Sequence, residues 1–354
     1  MSKFIDVIVD NIQNNHCIIC LGPGVGLTQE GKPLHAGLVD YLQKEAKLDV
    51  EPDLDDFIIF KDKAAKTFFY TDLKKYYGKY AIPTDFHRKL AQIPCHAYIN
   101  ATPDHQMKDA FDQQGIARNY ELYNKKRNSP ELDRPSQAMP LVYNFFGCID
   151  EEDSLVITYD DLFDFLFSIL GQSQRLPREL KNLIRSARIF IFLGFDFNKW
   201  YMKLLMRLFE LHADSMPIAP DQKELADNKM RSFYIDKFGM QFIEEAPVDL
   251  VNEVYKRFEE SGQLRETGES ADNSVKKQIQ DLVKADDLEE ALDILEEHLE
   301  EVSFTDLLND VLVISGNFRG VKRKVSKGVI TREDETLEMN KLREAILEIT
   351  EEIE

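Results

Sequence analysis

Three glycines follow a short apolar run near the N-terminus, in the segment Cys17-Ile-Ile-Cys-Leu-Gly22-Pro-Gly24-Val-Gly26. The apolar run is typical of a central parallel strand that is buried on both faces. Glycine lets the backbone turn sharply and approach a ligand without interference from a Cβ atom. At the carboxyl end of the first strand of an α/β sheet, such a turn usually meets a nucleotide phosphate. We therefore expect the N–H groups of Gly22 and Gly24 to face an open pocket.

The spacing of these glycines is G-x-G-x-G, which differs from the G-x-G-x-x-G dinucleotide fingerprint. A plain strand-to-helix turn therefore remains an alternative. Three further apolar runs end in polar or glycine residues, as Asn100-Ala-Thr102-Pro-Asp104, Asn144-Phe-Phe146-Gly147 and Gly194-Phe195. The carboxyl ends of parallel strands meet at one edge of a sheet, where ligands bind in open α/β folds. We expect these segments to converge on one cleft, although Asn, Thr and Asp are also ordinary turn and cap residues.

In this order, the segments resemble the sirtuin-like domains of prokaryotic conflict and antiphage systems, over roughly residues 10–215. The segment Gly22–Val25 resembles the family's Gly-Ala-Gly phosphate loop. The segment Asn100–Asp104 resembles the Thr-Thr-Asn-Tyr-Asp stretch that holds the nicotinamide ribose. Ser154–Leu166 is similar to the stretch after the family's Leu-His-Gly, and Phe192–Trp200 is similar to its late Leu-Gly-Tyr-Ser strand on the adenosine side.

The resemblance implies NAD, or another nucleotide of the ADP-ribose type, as substrate or ligand. It assigns catalytic roles to Asn100, Thr102 and Asp104. The residues that it places around the nucleotide are Gly22, Pro23, Gly24, Val25, Asn144, Phe146, Gly194 and Phe195.

Two departures from the family pattern affect catalysis. Phe146 stands where the family has the histidine of Leu-His-Gly, and Thr102 stands where it has the asparagine, unless Asn100 substitutes from two residues earlier. Cleavage of the nicotinamide–ribose bond develops oxocarbenium character at C1′, so a site must hold the ribose, stabilise charge and admit water. A general base contributes roughly 10²–10⁴-fold to such a step.

The seven histidines do not supply an obvious replacement. His105 follows Asp104 and could replace it, but at the start of a helix we expect it to face solvent. His35 begins a helix after the glycine loop and could reach the mouth of the pocket. The others, including His87, show no pattern.

Composition limits the class of protein. The 354 residues carry a formal charge of −20, which argues against nucleic acid as the main partner because phosphate neutralisation needs Lys and Arg. No apolar run has the length of a membrane span, and four cysteines in a large chain indicate a reducing, cytoplasmic location. Cys17 and Cys20 lie three apart on a strand, so they point to opposite faces and cannot bind one metal. We expect buried thiols and no metal.

Strand and helix patterns alternate over the first 260 residues, which predicts a Rossmann-like parallel sheet with flanking helices. The predicted strands are 17–21, 96–100, 140–146, 155–158, 188–193 and 232–235. The predicted helices are 4–12, 34–46, 55–80, 104–114, 160–170 and 199–211. Thr158 is predicted to cap the fifth of these helices, with Asp161 at the third helical position.

The polar stretch Glu260–Ser274 is typical of a linker that docks poorly. Beyond it, residues 269–354 contain 23 Asp and Glu and 11 Lys and Arg, a net charge of −12. Apolar residues at helical spacing predict a four-helix bundle that ends with the stripe Leu342/Ile346/Ile349/Ile353. This region resembles the small helical effector-associated domains of bacterial conflict systems, which are thought to pair with a like domain on a sensor protein. The acidic surface is either a solvated face or a docking surface.

We therefore expect a sirtuin-like domain at 1–262, a linker at 263–271 and a helical adaptor domain at 272–354. The first functional hypothesis is an NAD glycohydrolase effector that is restrained until a partner triggers it. The second is a nucleotide-binding scaffold without turnover, and a homo-oligomer is compatible with both. A protein deacylase ranks last, because the chain lacks the two C-x-x-C pairs of a sirtuin zinc module and the catalytic histidine.

Overall fold

The computed structural model describes residues 2–53, 55, 57–61, 63–127, 130–170, 176–209, 215–220, 225, 228–268, 271–301 and 305–352. The chain forms two compact units. One comprises Met1–Asp112 and Ile116–Thr267, and the other comprises Gln113–Gly115 and Gly268–Glu354.

The first unit contains nine described strands and ten described α-helices. The strands are β1 (Cys17–Leu21), β2 (Val50–Pro52), β3 (Ile58–Phe60), β4 (Ala97–Asn100), β5 (Asn119–Leu122), β6 (Leu141–Asn144), β7 (Ile189–Leu193), β8 (Met216–Pro220) and β9 (Gln241–Ile243). The helices are α1 (Ser2–Gln13), α2 (Leu34–Lys44), α3 (Lys63–Tyr80), α4 (Asp85–Gln92), α5 (Gln106–Asp112), α6 (Tyr159–Leu170), α7 (Arg178–Ser186), α8 (Met202–Leu208), α9 (Asn228–Phe238) and α10 (Pro247–Glu260).

Seven of these strands form one parallel sheet, in the order β5-β6-β4-β1-β7-β8-β9. The predicted parallel sheet with flanking helices is therefore confirmed. Residues of β1 alternate between two cores on the two faces of the sheet: Ile18 and Cys20 belong to one, and Cys17, Ile19 and Leu21 belong to the other. The two thiols of the C-x-x-C are thus buried on opposite faces, as expected.

Residues 55–60 do not begin a helix, so that prediction is wrong. Strands β2 and β3 pair as an antiparallel hairpin, and α3 begins only at Lys63. The reason lies at the turn, where the Asp53 carboxylate accepts hydrogen bonds from the N–H groups of Asp55 (2.7 Å) and Phe57 (2.9 Å). Such side-chain bonds compete with a helix and favour a turn.

The strand predicted at 232–235 is also wrong, because these residues lie inside α9. The sheet is instead extended by β8 and β9. Strand β8 contains Pro217 and Pro220, and proline within an apolar run argues against a central strand. Here β8 nevertheless pairs on both sides, with β7 and β9.

Residues 155–158 are not a strand either, since they form no ladder with a neighbouring strand among the described residues. Their backbone bonds to other segments include those from the Val156 N–H to the Phe146 carbonyl (3.1 Å) and from the Ile58 N–H to the Ile157 carbonyl (2.9 Å). The cap predicted at their end is confirmed. The hydroxyl of Thr158 accepts from the Asp161 N–H at 3.2 Å, and the Asp161 carboxylate accepts from the Thr158 N–H at 3.1 Å.

The first part of the presumed linker is anchored on the first unit. The Arg265 guanidinium donates to the carbonyl oxygens of Ala91 (2.6 Å), Ile93 (2.7 Å) and Gln137 (2.7 Å), and also to that of Cys95. Its own N–H bonds to the Gln92 carbonyl at 2.8 Å. Composition predicted weak docking here, but one side chain with several fixed donors is enough to tie the segment down.

The second unit contains four described α-helices, which confirms the predicted all-α region. They are α11 (Ala271–Lys284), α12 (Leu288–Glu301), α13 (Thr305–Ser326) and α14 (Arg332–Glu352). Leu342, Ile346 and Ile349 are buried in the bundle core, whereas Ile353 lies outside the described residues. Among the described helices of the whole chain, none is both long enough and apolar enough to cross a membrane.

The surface of this bundle carries both signs of charge. Glu290, Asp293 and Glu297 are exposed on α12. The second half of α13 is basic and exposed, a feature that net charge alone conceals. Its cations are Arg319, Lys322, Arg323 and Lys324, and Lys327 follows directly after the helix.

Candidate functional site

A small pocket lies at the carboxyl ends of β1 and β4. Its lining residues are Leu21, Gly22, Val25, Gly26, His87, Asn100, Thr102, Asp104, Gln106 and Met107. The three residues that the resemblance marks as catalytic, Asn100, Thr102 and Asp104, thus lie together with part of the glycine loop. The pocket has room for about one water molecule, a free volume of about 10 Å³.

The side-chain oxygen of Asn100, a lining residue, is oriented by a chain of hydrogen bonds between two amides. The Asn144 amide donates to the Asp104 carbonyl oxygen at 3.2 Å, and this leaves its own oxygen to accept from the Asn100 amide at 3.0 Å. Because a carbonyl can only accept, the orientation of both amides is determined. Among the described residues, the Asn100 Oδ1 atom is buried and has no hydrogen-bond partner. This chain of hydrogen bonds therefore leaves an unpaired acceptor on a residue of the pocket wall.

Gln106 is oriented in the same way by a different set of carbonyls. Its Nε2 atom donates to the carbonyl oxygens of Leu27 and Ile82, both at 2.8 Å. Its Oε1 atom has no partner among the described residues and lies beside Gly26, 3.7 Å from where a Cβ atom on that glycine would lie. An unpaired buried acceptor costs about 1–3 kcal/mol, so two of them in one pocket favour a ligand with hydroxyl or N–H donors.

Asp104 is a further buried residue of the pocket lining. Burial raises the pKa of its carboxyl group, and hydrogen bonds from the Gln106 N–H (3.0 Å) and the Thr102 side chain partly oppose the rise. A carboxyl group in this position can stabilise positive charge that develops on a ligand.

His87 is a lining residue that the sequence analysis missed. It comes from the first turn of α4, where Thr84 caps the helix and His87 completes a capping box. Its Nδ1 atom lies 2.9 Å from the Thr84 hydroxyl. Burial, with a smaller contribution from Arg88, lowers the pKa of His87 to about 4, so the ring is neutral at pH 7. The only signal in the sequence was Thr84 three residues before a histidine, which is not a standard capping pair.

The N–H groups of Gly22 and Gly24 do not face an open pocket, so that expectation from the sequence is wrong. The Gly22 N–H donates to the Leu193 carbonyl and the Gly24 N–H to the Gly194 carbonyl, both at 2.8 Å. A Cβ atom on Gly22 would lie 2.7 Å from the Gly194 oxygen. The glycines therefore permit close contact between the loops that follow β1 and β7.

The remaining predicted residues lie around this pocket or away from it. Pro23 and Gly24 are exposed in the loop, and Gly194 contacts it with a φ of +72°. Phe195 is buried against Phe192, with ring centroids 5.6 Å apart. Phe146 does not line the pocket, because its ring packs in the core against Phe165 at 5.4 Å.

Two histidines considered in the sequence lie elsewhere. His35 is half-buried on α2 and does not line the pocket. His105 was expected to face solvent, but this is wrong: its Nε2 atom lies 2.8 Å from the Asp150 carboxylate and 3.4 Å from the Cys148 sulfur. Burial opposes the charged ring, yet these two hydrogen bonds raise the pKa of His105 to about 10.

Comparison with known proteins matches family models to two separate parts of the chain. A family model for the SIR2-like domain matches residues 97–233, which include Asn100, Thr102, Asp104 and Asn144. A second model, effector-associated domain 11, matches residues 274–354. The chain carries a SIR2-like domain followed by an effector-associated domain 11. The SIR2-like and effector-associated parts of the resemblance drawn from the sequence are thereby confirmed.

Two further comparisons give no information about the site. A solved structure from work on the mechanism and regulation of Sir2 enzymes overlaps 73% of this chain and 97% of its own, with 12% identity and a TM-score of 0.36. A likeness at that level carries no argument about the site. None of the curated proteins compared with the chain matches it.

Proposed function

We propose that the chain is an effector of a bacterial defence system whose SIR2-like domain binds NAD and hydrolyses it. The observation that carries the proposal is the pair of oriented, unpaired oxygens, Asn100 Oδ1 and Gln106 Oε1, in a pocket that also contains Asp104. These acceptors suit the hydroxyl groups of a ribose, and the family match supports a nicotinamide nucleotide.

The residues present can divide the work of hydrolysis. Asn100 accepts a hydrogen bond from the ribose, and Asp104 stabilises the positive charge at C1′ as the C1′–N bond breaks. The water oxygen bonds to C1′, nicotinamide leaves with the electron pair of the broken bond, and the water proton passes to solvent. Neutral His87 is the one imidazole of the pocket lining. In this proposal it takes the role of the histidine that the family carries at the position of Phe146.

The size of the pocket supports a restrained ground state. A space for about one water molecule does not admit NAD, so the loops at 22–28 and 101–106 must separate before the ligand enters. In this proposal, binding of the partner supplies the free energy for opening and so makes the activity depend on that partner.

The decisive experiment incubates the full chain with NAD, with and without the proteins encoded beside it, and measures nicotinamide release. We expect slow release alone and faster release with the correct partner. Asn100→Ala should abolish release, whereas Asn182→Ala, an exposed asparagine on α7, should not change it. Absence of both NAD binding and release under all conditions would refute the proposal.

A nucleotide-binding scaffold without turnover is the second candidate. The specific observation in its favour is Phe146, which fills the family's histidine position with a core aromatic ring. Tight NAD binding with no nicotinamide release, even in the presence of the partner, would select this candidate. A Phe146→His variant that gains activity would point the same way.

We further propose that the effector-associated domain recruits a sensor protein through a helical domain of its own kind. The exposed acidic face of α12 supports a partner with a basic face, and the basic end of α13 supports a second, acidic contact. Association should slow as salt concentration rises, because exposed charges are screened.

A charge-removal variant tests this docking. Glu290→Gln, Asp293→Asn and Glu297→Gln together should slow association at low salt. The matched control removes three exposed charges from the SIR2-like domain, with Asp236→Asn, Glu244→Gln and Asp249→Asn. Equal effects of the two triple variants would contradict a docking role for α12.

A further inference from the structure

Three potential metal ligands converge beside the loops that follow β4 and β6. They are His105, Cys148 and Asp150, and one ligand atom from each lies within 4.8 Å of the other two. The His105 Nε2 atom is 3.4 Å from the Cys148 sulfur and 2.8 Å from the Asp150 carboxylate. None of the three lines the pocket described above.

The arrangement differs from a catalytic Cys-His-Asp relay. In a relay, the two ring nitrogens of histidine face different partners, one the nucleophile and the other the carboxylate. Here the same nitrogen, Nε2, is the nearer one to Cys148, since Nδ1 lies 3.8 Å from the sulfur. Cys148 is also buried, with 1% of its surface exposed, so a substrate could not reach its sulfur. The three ligand atoms instead lie within 4.8 Å of one another, as the donors of one metal ion would.

The backbone holds these ligands in a rigid frame. The Ile149 N–H donates to the Pro103 carbonyl at 2.9 Å, which joins the two loops. The Ile149 carbonyl in turn accepts from the Tyr70 hydroxyl at 2.8 Å. The Asp150 N–H donates to the Cys148 sulfur at 3.4 Å, a contact that helps to position this ligand.

We propose that His105, Cys148 and Asp150 form a binding site for a transition-metal ion of the zinc class. Thiolate, imidazole and carboxylate are the donors that Zn²⁺ accepts, and one thiolate with one carboxylate balances its charge. Bonds of about 2.0–2.3 Å to a tetrahedral ion place ligand atoms about 3.3–3.6 Å apart. The distance of 3.4 Å between the Cys148 sulfur and His105 Nε2 lies in this range. The distance of 2.8 Å between His105 Nε2 and the Asp150 carboxylate is shorter, and the Asp150 side chain, which is 62% exposed, can move outward by the difference.

Three protein ligands leave one coordination position for water, so the site is exchangeable rather than closed. The bound metal would tie the segment that carries Asp104 and His105 to the loop after β6. This role does not depend on NAD, and it does not involve the buried thiols of Cys17 and Cys20.

The test titrates the metal-free full chain with Co²⁺ and follows the absorption band of thiolate-to-cobalt charge transfer. We expect one equivalent to bind with that band, Zn²⁺ to displace it, and Zn²⁺ to raise the melting temperature. Cys148→Ser should abolish the band, and Asp150→Asn should weaken binding at least tenfold. Cys20→Ala, which removes another buried thiol, should retain the band.

Two results would overturn the proposal. The first is an unchanged Co²⁺ affinity in Cys148→Ser, which would place the metal elsewhere. The second is no binding by the wild-type chain together with selective alkylation of Cys148, which would make it a reactive thiol. Circular dichroism of each variant separates loss of the site from loss of the fold, and none of these measurements uses NAD.

Discussion

Asn144 determines which side-chain atom of Asn100 is left without a hydrogen-bond partner among the described residues. Its amide is held by the Asp104 carbonyl, so its oxygen must accept from Asn100, and the Asn100 oxygen is left unpaired. A residue outside the pocket lining thereby sets the chemistry of the pocket wall.

Asn144→Ala should therefore lower stability and nucleotide affinity together. The change leaves the buried Asn100 amide and the Asp104 carbonyl unpaired, at a cost of about 1–3 kcal/mol. Urea unfolding measures the loss, and Asn182→Ala, at the surface, should change stability by less than about 0.5 kcal/mol. In a double-mutant cycle with Asn100→Ala, a coupling energy near zero would contradict this chain of hydrogen bonds.

Gly194→Ala should be far more damaging than Gly31→Ala, although both glycines have positive φ angles, +72° and +78°. A Cβ atom on Gly194 would lie 2.5 Å from the Val25 nitrogen, whereas one on Gly31 meets nothing within 4 Å. Strain alone costs about 1–2 kcal/mol at each position, and the clash at Gly194 adds about 1–3 kcal/mol. Equal melting temperatures for the two variants would show that the loops after β1 and β7 are not packed together.

His87 should make stability fall between about pH 6.5 and pH 4. The folded state holds this ring neutral with a pKa of about 4, while the unfolded chain takes up a proton near pH 6.5. Because the unfolded state binds more protons in this interval, acid favours unfolding, by at most about 3 kcal/mol.

The matched variant for this prediction is His87→Gln, since glutamine at the third helical position preserves the capping box but does not titrate. Urea unfolding at several pH values should show a steeper loss for the wild type than for the variant. Parallel curves would mean that His87 titrates normally.

Arg265→Ala should destabilise the SIR2-like unit by about 2–4 kcal/mol, because it leaves several carbonyls without their charged donor. Arg257→Ala is the control. Arg257 pairs with Asp6 at 3.3 Å between two exposed side chains, and such pairs contribute less than about 1 kcal/mol. If thermal unfolding ranks the two variants equally, the Arg265 anchor is not energetically important.

Ile346→Ala should unfold the bundle without unfolding the sheet. Ile346 is fully buried in the core of the second unit, where such truncations cost about 2–5 kcal/mol. Hydrogen exchange should show faster exchange confined to residues 271–352. Faster exchange in β1 and β4 as well would mean that the two units unfold together.

The sequence predicted the part of the sheet that consists of continuous buried runs. Strands β1, β4, β6 and β7 are short, apolar and flanked by turn residues, so their pattern is unambiguous. Strand β5 (Asn119-Tyr-Glu-Leu) is polar and lies at the edge, and β8 contains two prolines. In both strands, pairing with neighbouring strands overrides the local propensity, so the local sequence pattern does not predict them.

The candidate site was predictable only where it follows a strand. Asn100 ends β4, and Thr102 and Asp104 follow it directly, so the geometry of a parallel sheet could place all three. His87 and Gln106 come from the starts of α4 and α5, which are brought to the pocket by packing between helices. The glycine loop was located correctly, but its N–H groups are used by the neighbouring loop.

The position of Arg265 also bears on how such proteins exchange parts during evolution. The SIR2-like unit ends at Thr267, so this arginine lies within it even though its sequence context reads as spacer. A cut at residue 262 would remove the donor that closes the end of α4, whereas a cut after 267 would keep it. We therefore expect a fusion of the first unit to a different helical module to fold stably only if it keeps residues up to Thr267. Arg265 is therefore part of the same folding unit as the sheet.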